Sequence, residues 1–132
     1  MDSEFLSGKR VLVVEDEMFV AMQIEDMLGD LGCTSITSAA TIQTALDSIA
    51  ANTFDLATLD LNLNGERSFL IAEALSERHI PFAFATGYGA NSIDEAFGDR
   101  PVLNKPYSFF QFKKVLEELV ANGDGAPSPL AD

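Results

Sequence analysis

Basic residues are scarce in this chain: 8 Lys and Arg stand against 21 Asp and Glu, a formal net charge of −13. A surface so short of cations is not expected to coat a nucleic acid or settle on an anionic membrane. Cysteine and histidine are scarcer still. Cys33 is alone, which excludes a disulfide framework and a cysteine-based zinc site. His79 is alone too, just before an apolar run, where it reads as a surface residue. No apolar run reaches the length of a membrane span, and the start MDSEFLSGKR has no apolar leader core. The sequence reads as a soluble, cytoplasmic protein. Solvated helix faces account for most of the acidic excess, which is also compatible with a cluster that welcomes a cation.

What is there is one domain's worth of chain. Its 132 residues are 47% hydrophobic and 22% charged, so a packed core rather than disorder is expected. Residues 1–8 read as a flexible lead-in, 9–121 as the domain, and 122–132 (NGDGAPSPLAD) as a disordered tail. Short β-branched or apolar runs at Arg10–Val14, 34–39, Asp55–Leu59, Ile80–Ala85 and Pro101–Leu103 predict five strands. Between them, helical spacing predicts helices over Glu17–Leu31, from a Thr41 cap to Ala51, and from the NLNGE loop to Glu77. A short helix over Ala90–Phe97 and a last one capped by Ser108 complete the set. Gly32 stops the first helix. Strict alternation of strands and helices implies a single doubly wound α/β domain, a five-stranded parallel sheet with five helices on its two faces.

In such sheets ligands gather at the carboxyl ends of the strands. The residues just beyond those ends are Glu15, Asp16 and Glu17 after the first strand, Asp60 after the third, Thr86 after the fourth and Lys105 after the fifth. Each has a bland explanation alone: a charge at a helix N-terminus, a cap, a solvated loop lysine. Glu17 is left with that explanation. Convergence of the others from four places in the chain is harder to dismiss. Clustered carboxylates suit a hard cation such as Mg²⁺ or Mn²⁺. An aspartate held beside that ion is a nucleophile for phosphoryl groups, and a lysine and a hydroxyl supply the charge and donors that the transferred oxygens need. Gly87, with no side chain, lets the backbone come close to a phosphate.

With VLVVEDE, LDLNLNGE, FATGYG and NKPY in this order and spacing, the chain resembles the receiver domain of bacterial two-component response regulators over residues 9–121. The resemblance implies the flavodoxin-like fold with 2-1-3-4-5 strand order, and roles residue by residue. Asp60 is the phosphoacceptor. Asp16 binds the metal directly with Asp60, Asn62 adds its backbone carbonyl, and Glu15 acts through water. Thr86 and Lys105 sense and bind the phosphate, with Gly87 beside them, and Pro106 follows a cis bond. The FATGYG stretch is similar to the FATGUY receivers, often single domains. It suggests a sensor histidine kinase, of the HWE or a related type, or a histidine phosphotransfer protein as partner. No nucleic acid or membrane is implied, and a monomer or a weak phosphorylation-dependent dimer is expected. Apart from its own phosphorylation and dephosphorylation the protein is not expected to be an enzyme.

Two positions depart from the family pattern. Val102 stands where most receivers carry Tyr or Phe, so the usual threonine–aromatic rotation is missing. A change of order in the Gly-flanked segment 87–98 is expected in its place. Tyr88 stands two positions after Thr86, and together with Asn62 it flanks the path of a water attacking an aspartyl phosphate. A role in phosphate lifetime and a partner-facing role are equally compatible with it. Two other functions compete: a phosphorylation-independent pseudo-receiver that only binds partners, and a small aspartyl-phosphate hydrolase. The second needs an acid two residues after the nucleophile, where this chain has Asn62.

Overall fold

The computed structural model describes residues 4–87 and 97–121. In chain order they form β1 (Arg10–Val14), α1 (Met18–Asp30), β2 (Ser35–Ala39), α2 (Ile42–Ala51) and β3 (Leu56–Asp60). A short hairpin of β4 (Asn62–Leu63) and β5 (Glu66–Arg67) follows, then α3 (Phe69–Glu77), β6 (Phe82–Thr86), β7 (Val102–Asn104) and α4 (Phe109–Ala121). The main sheet has the order β2-β1-β3-β6-β7, parallel at every pairing. With the hairpin strands set aside, this is the 2-1-3-4-5 order of the flavodoxin-like receiver fold. Four helices are described. The fifth expected one, Ala90–Phe97, lies almost wholly outside the described residues, as do Tyr88 and the tail 122–132.

Alternation along the strands sorts the core into two layers. Leu12 and Val14 of β1, Leu59 of β3 and Phe82 and Phe84 of β6 pack with Ala45 and Ile49 of α2 and Ile71 and Leu75 of α3. Val11 and Val13, Leu56, Ala83 and Leu103 face the other way, toward Ile24 and Leu28 of α1 and Phe112 and Leu116 of α4. The inner strands β3 and β6 are buried at every position, whereas the edge strand β2 is partly exposed. Parity along β3 therefore puts Leu56, Thr58 and Asp60 on the α1/α4 face.

Caps hold the helix ends. Thr41 accepts from the Thr44 N–H at 3.1 Å at the head of α2. Ser108 Oγ accepts from Gln111 N at 3.1 Å while Gln111 Oε1 accepts from Ser108 N at 2.8 Å, a capping box on α4. Gly32 ends α1 at φ +93°, and a Cβ there would lie 2.7 Å from the Glu4 Cβ.

That close approach belongs to a finding that differs from the flexible lead-in expected over 1–8. Residues 4–8 form turns, Leu6 is fully buried against the α1/α4 core, and its N–H donates to Leu31 O at 3.1 Å. Leu6, the partly buried Phe5 packed against the same core, and the Leu6–Leu31 backbone bond tie the segment to the domain. Strand boundaries also shift. β3 starts at Leu56, because Asp55 pairs sideways with Arg10: Arg10 N donates to Asp55 Oδ2 at 2.8 Å, and Asp55 N to Arg10 O at 2.7 Å. β6 starts at Phe82, since the Ile80 N–H caps α3 through Leu75 O and Pro81 has no N–H to give. No helix among the described residues is long and apolar enough to cross a membrane.

Candidate functional site

The parallel sheet brings the carboxyl ends of β1, β3, β6 and β7 to one rim. A cavity of about 400 Å³ opens there, lined by Asp16, Glu17, Asp60, Asn62, Asn64, Gly65, Thr86, Gly87 and Lys105. Asp60 is the last residue of β3, not the first of a loop, so its backbone is fixed in the sheet. Leu61 N, next in the chain, donates to Ala85 O at 2.9 Å. Its carboxylate is buried and engaged at both oxygens: Lys105 Nζ donates to Oδ2 at 3.2 Å and Asn62 N to Oδ1 at 3.2 Å. The same ammonium reaches Glu15 Oε1 at 3.3 Å. Lys105 is itself seated by its backbone, whose N–H donates to Thr86 O at 2.9 Å, and the Lys105–Pro106 peptide bond is cis.

Glu15, Asp16 and Asp60 each present an oxygen, and these three atoms lie within 4.8 Å of one another. Burial pushes the Glu15 carboxyl up to about 7 from its ordinary 4.5. Asp60 adds to the rise, while the Glu17 N–H on Glu15 Oε2 and the Lys105 ammonium oppose it. Burial alone lowers the affinity of Lys105 for its proton, but Asp60 and Glu15 together outweigh it, and the ammonium is held above its ordinary range. The rim therefore carries one firmly protonated cation against three crowded carboxyl groups. Hard oxygen donors at this spacing suit an octahedral Mg²⁺ or Mn²⁺.

Of the residues expected at the site, Glu15, Asp60 and Thr86 are buried, Asp16, Asn62 and Lys105 are half-buried, and Gly87 is exposed at the cavity wall. Glu17, left out as a helix charge, lines the cavity and donates its N–H to Glu15. Two contributors escaped the sequence reading. Ser68 is fully buried, and its Oγ donates to Asp60 O at 2.7 Å, with Leu61 O at 3.2 Å. Asn64 donates its backbone N–H to Asp16 Oδ2 at 3.0 Å. An Asn-Gly pair is a hairpin signal, and it was there to be read. Val102 is half-buried and lines a separate 220 Å³ cavity with Tyr107 and Val115, away from the acidic rim.

A larger cavity lies on the adjacent face. It measures about 610 Å³ and is lined by Val20, Ile24 and Met27 of α1 with Lys105, Pro106 and Tyr107. Tyr107 stacks on Phe112 with ring centroids 5.9 Å apart, and burial raises its hydroxyl to about 12. The start of α1 exposes Met18, Phe19 and Met22, and the start of α4 exposes Phe109 and Phe110.

The family model for the response regulator receiver domain matches residues 11–117. The chain belongs to the response regulator receiver family. Receivers are signalling modules rather than enzymes in the ordinary sense, and two-component signal transduction is their setting. Over 113 residues the receiver is 31% identical to the sensory transduction protein LytT of Bacillus subtilis, covering 83% of this chain and 47% of LytT. It thus spans about half the length of that curated relative. The solution structure of SdrG from Sphingomonas melonis Fr1 is 43% identical, with a TM-score of 0.76 over 85% of this chain and 96% of SdrG. A magnesium-bound receiver domain of the sensor histidine kinase PA1611 from Pseudomonas aeruginosa PAO1 shares the fold. It is 20% identical, with a TM-score of 0.75 over 87% of this chain and 99% of its own.

Proposed function

We propose that this receiver accepts a phosphoryl group on Asp60 in a Mg²⁺- or Mn²⁺-dependent reaction. The donor is a phosphohistidine of a sensor kinase or phosphotransfer protein. The observation that carries the reading is the Lys105 ammonium shared between Asp60 Oδ2 and Glu15 Oε1, beside three carboxyl oxygens within 4.8 Å. Asp16 and Asp60 would hold the ion directly, with the Asn62 backbone carbonyl, and Glu15 through a water. When bound, the ion supplies charge to the phosphoryl oxygens and relieves repulsion among the carboxylates.

The remaining work falls to the protein's own groups. An Asp60 oxygen attacks phosphorus, the phosphorus–nitrogen bond of the phosphohistidine breaks, and its electron pair returns to the imidazole. Lys105 pairs with the phosphoryl oxygens as they leave the donor, and the Thr86 hydroxyl, on the last residue of β6, donates to another. Gly87 admits the phosphate without a side chain in the way. Hydrolysis later returns phosphate to water and frees Asp60, so the chain turns over only its own modification.

For partners, the protein offers an apolar groove beside Lys105 and Pro106, and exposed Met18, Phe19, Met22 and Phe110 at the starts of α1 and α4. An apolar helical surface carrying the donor histidine fits that face, and an HWE-type kinase is the partner type that the FATGYG stretch supports. A cytoplasmic setting fits a kinase donor. A BeF3-activated conformation has been determined for SdrG from Pseudomonas melonis Fr1, 42% identical to this chain, so the same phosphoryl mimic is a usable probe here. Incubation with acetyl phosphate, with and without Mg²⁺, and intact mass measurement beside Asp60→Asn tests the reading. A Mg²⁺-dependent adduct absent from the variant is expected. No adduct from either acetyl phosphate or a charged kinase, and no Mg²⁺ binding, would favour the phosphorylation-independent interaction module.

A further inference from the structure

The three carboxylates of the rim are not equally restrained. Glu15 and Asp60 are buried and share Lys105. Asp16 is half-buried at the start of the loop after β1, and the only hydrogen bond of its side chain among the described residues comes from Asn64 N, at 3.0 Å. Among the described residues, that one backbone N–H is what fixes the Asp16 carboxylate.

That N–H is aimed by an unusual backbone. Asn64 has φ +52° and Gly65 φ +87°, two successive left-handed residues that close the β4–β5 hairpin as a type I′ turn. Residues with a Cβ resist this region; Asn tolerates it, and glycine adopts it freely. The turn is held at both ends. Asn62 N bonds Asp60 Oδ1 at 3.2 Å, and the Asn64 side-chain amide reaches Ala40 O at 3.5 Å. One small hairpin thereby places a backbone donor on each of two candidate metal ligands, 48 residues apart in the case of Asn64 and Asp16.

We propose that Asn64 is a positioning residue: its left-handed backbone holds the N–H on one oxygen of Asp16, leaving the other for a divalent cation. This rests on the metal-dependent reading above. Hydrogen bonds from outside the ligand set commonly tune metal affinity by about 10- to 100-fold, and this one acts through the backbone, so the identity of residue 64 matters through φ.

The test is calorimetric titration of the full chain with MgCl₂ and MnCl₂, comparing wild type with Asn64→Gly, Asn64→Ala and Asn64→Pro. Gly and Ala both remove the side-chain bond to Ala40 but differ in their tolerance of φ +52°. Gly is expected to bind within about twofold of wild type and Ala about fivefold more weakly. Pro, with no N–H and φ fixed near −65°, is expected to lose about tenfold or more. Thermal unfolding in EDTA checks that each variant is folded; should Pro not fold, the Gly–Ala pair decides. Equal affinities for Gly and Ala, or wild-type affinity in a folded Pro variant, overturn the proposal alone. Absence of Mg²⁺ binding by the wild type overturns the metal-dependent reading and this inference with it.

Discussion

Replacing Glu15 by Gln removes a charge that its surroundings resist. The residue is 4% exposed, and its carboxyl is pushed up to about 7 from 4.5, first by burial and then by Asp60. In the unfolded chain the carboxyl loses its proton near the ordinary value. Between pH 4.5 and 7 the folded metal-free protein therefore binds more protons than the unfolded one, and its stability falls as pH rises; above pH 7 this contribution is flat. Carried through in full, the difference is about 3 kcal/mol. Glu15→Gln carries no such cost. In EDTA it should exceed wild type by less than about 1 kcal/mol at pH 5 and by about 3 kcal/mol at pH 8, roughly 10 °C in Tm. Urea unfolding of both proteins at the two pH values measures this, and Mg²⁺ should narrow the gap at pH 8 by stabilising the wild-type carboxylates. A gap of equal size at both pH values, or a less stable variant at pH 8, would refute the reasoning.

Lys105→Met removes the only ammonium that Asp60 and Glu15 share among the described residues. It should bind Mg²⁺ more tightly by calorimetry yet slow acetyl phosphate labelling by about 100-fold, since the phosphoryl oxygens lose their cation. Thr58 Oγ1 is buried with no hydrogen-bond partner among the described residues, so Thr58→Val should raise stability by about 1 kcal/mol in urea unfolding. Phe112→Ala should cost about 3–5 kcal/mol, because its fully buried ring fills the α1/α4 core. Phe110→Ala, with its side chain largely exposed, should change stability by less than about 0.5 kcal/mol while weakening kinase docking.

The sheet was legible because period-2 and helical patterns alternate cleanly along the chain, and alternation with short links leaves few topologies open. The rim was legible for the same reason: once strands are placed, Glu15, Asp16, Asp60, Thr86 and Lys105 have nowhere else to meet. Strand ends shifted by one or two residues where backbone donors decide. Pro81 and Pro101 cannot donate, and Asp55 spends its groups on Arg10. The two-residue strands β4 and β5 show no alternation, so the Asn64–Gly65 pair is the one sequence signal of their hairpin. Ser68 stands at the N-cap position of α3, but its side chain makes no cap bond and donates backward to Asp60 O, a contact set by the fold and not by spacing. The burial of Leu6 is not legible because two adjacent apolar residues, Phe5 and Leu6, in a polar stretch define no period.

Trapping the modified carboxyl tests the central claim most directly. Borohydride reduces an aspartyl phosphate to homoserine, so a peptide map of the protein treated with phosphodonor and Mg²⁺ and then reduced locates the acceptor. The account predicts homoserine at position 60 alone, and none when Mg²⁺ is replaced by EDTA. Homoserine at another carboxylate, or labelling of position 60 that ignores the metal, would contradict it.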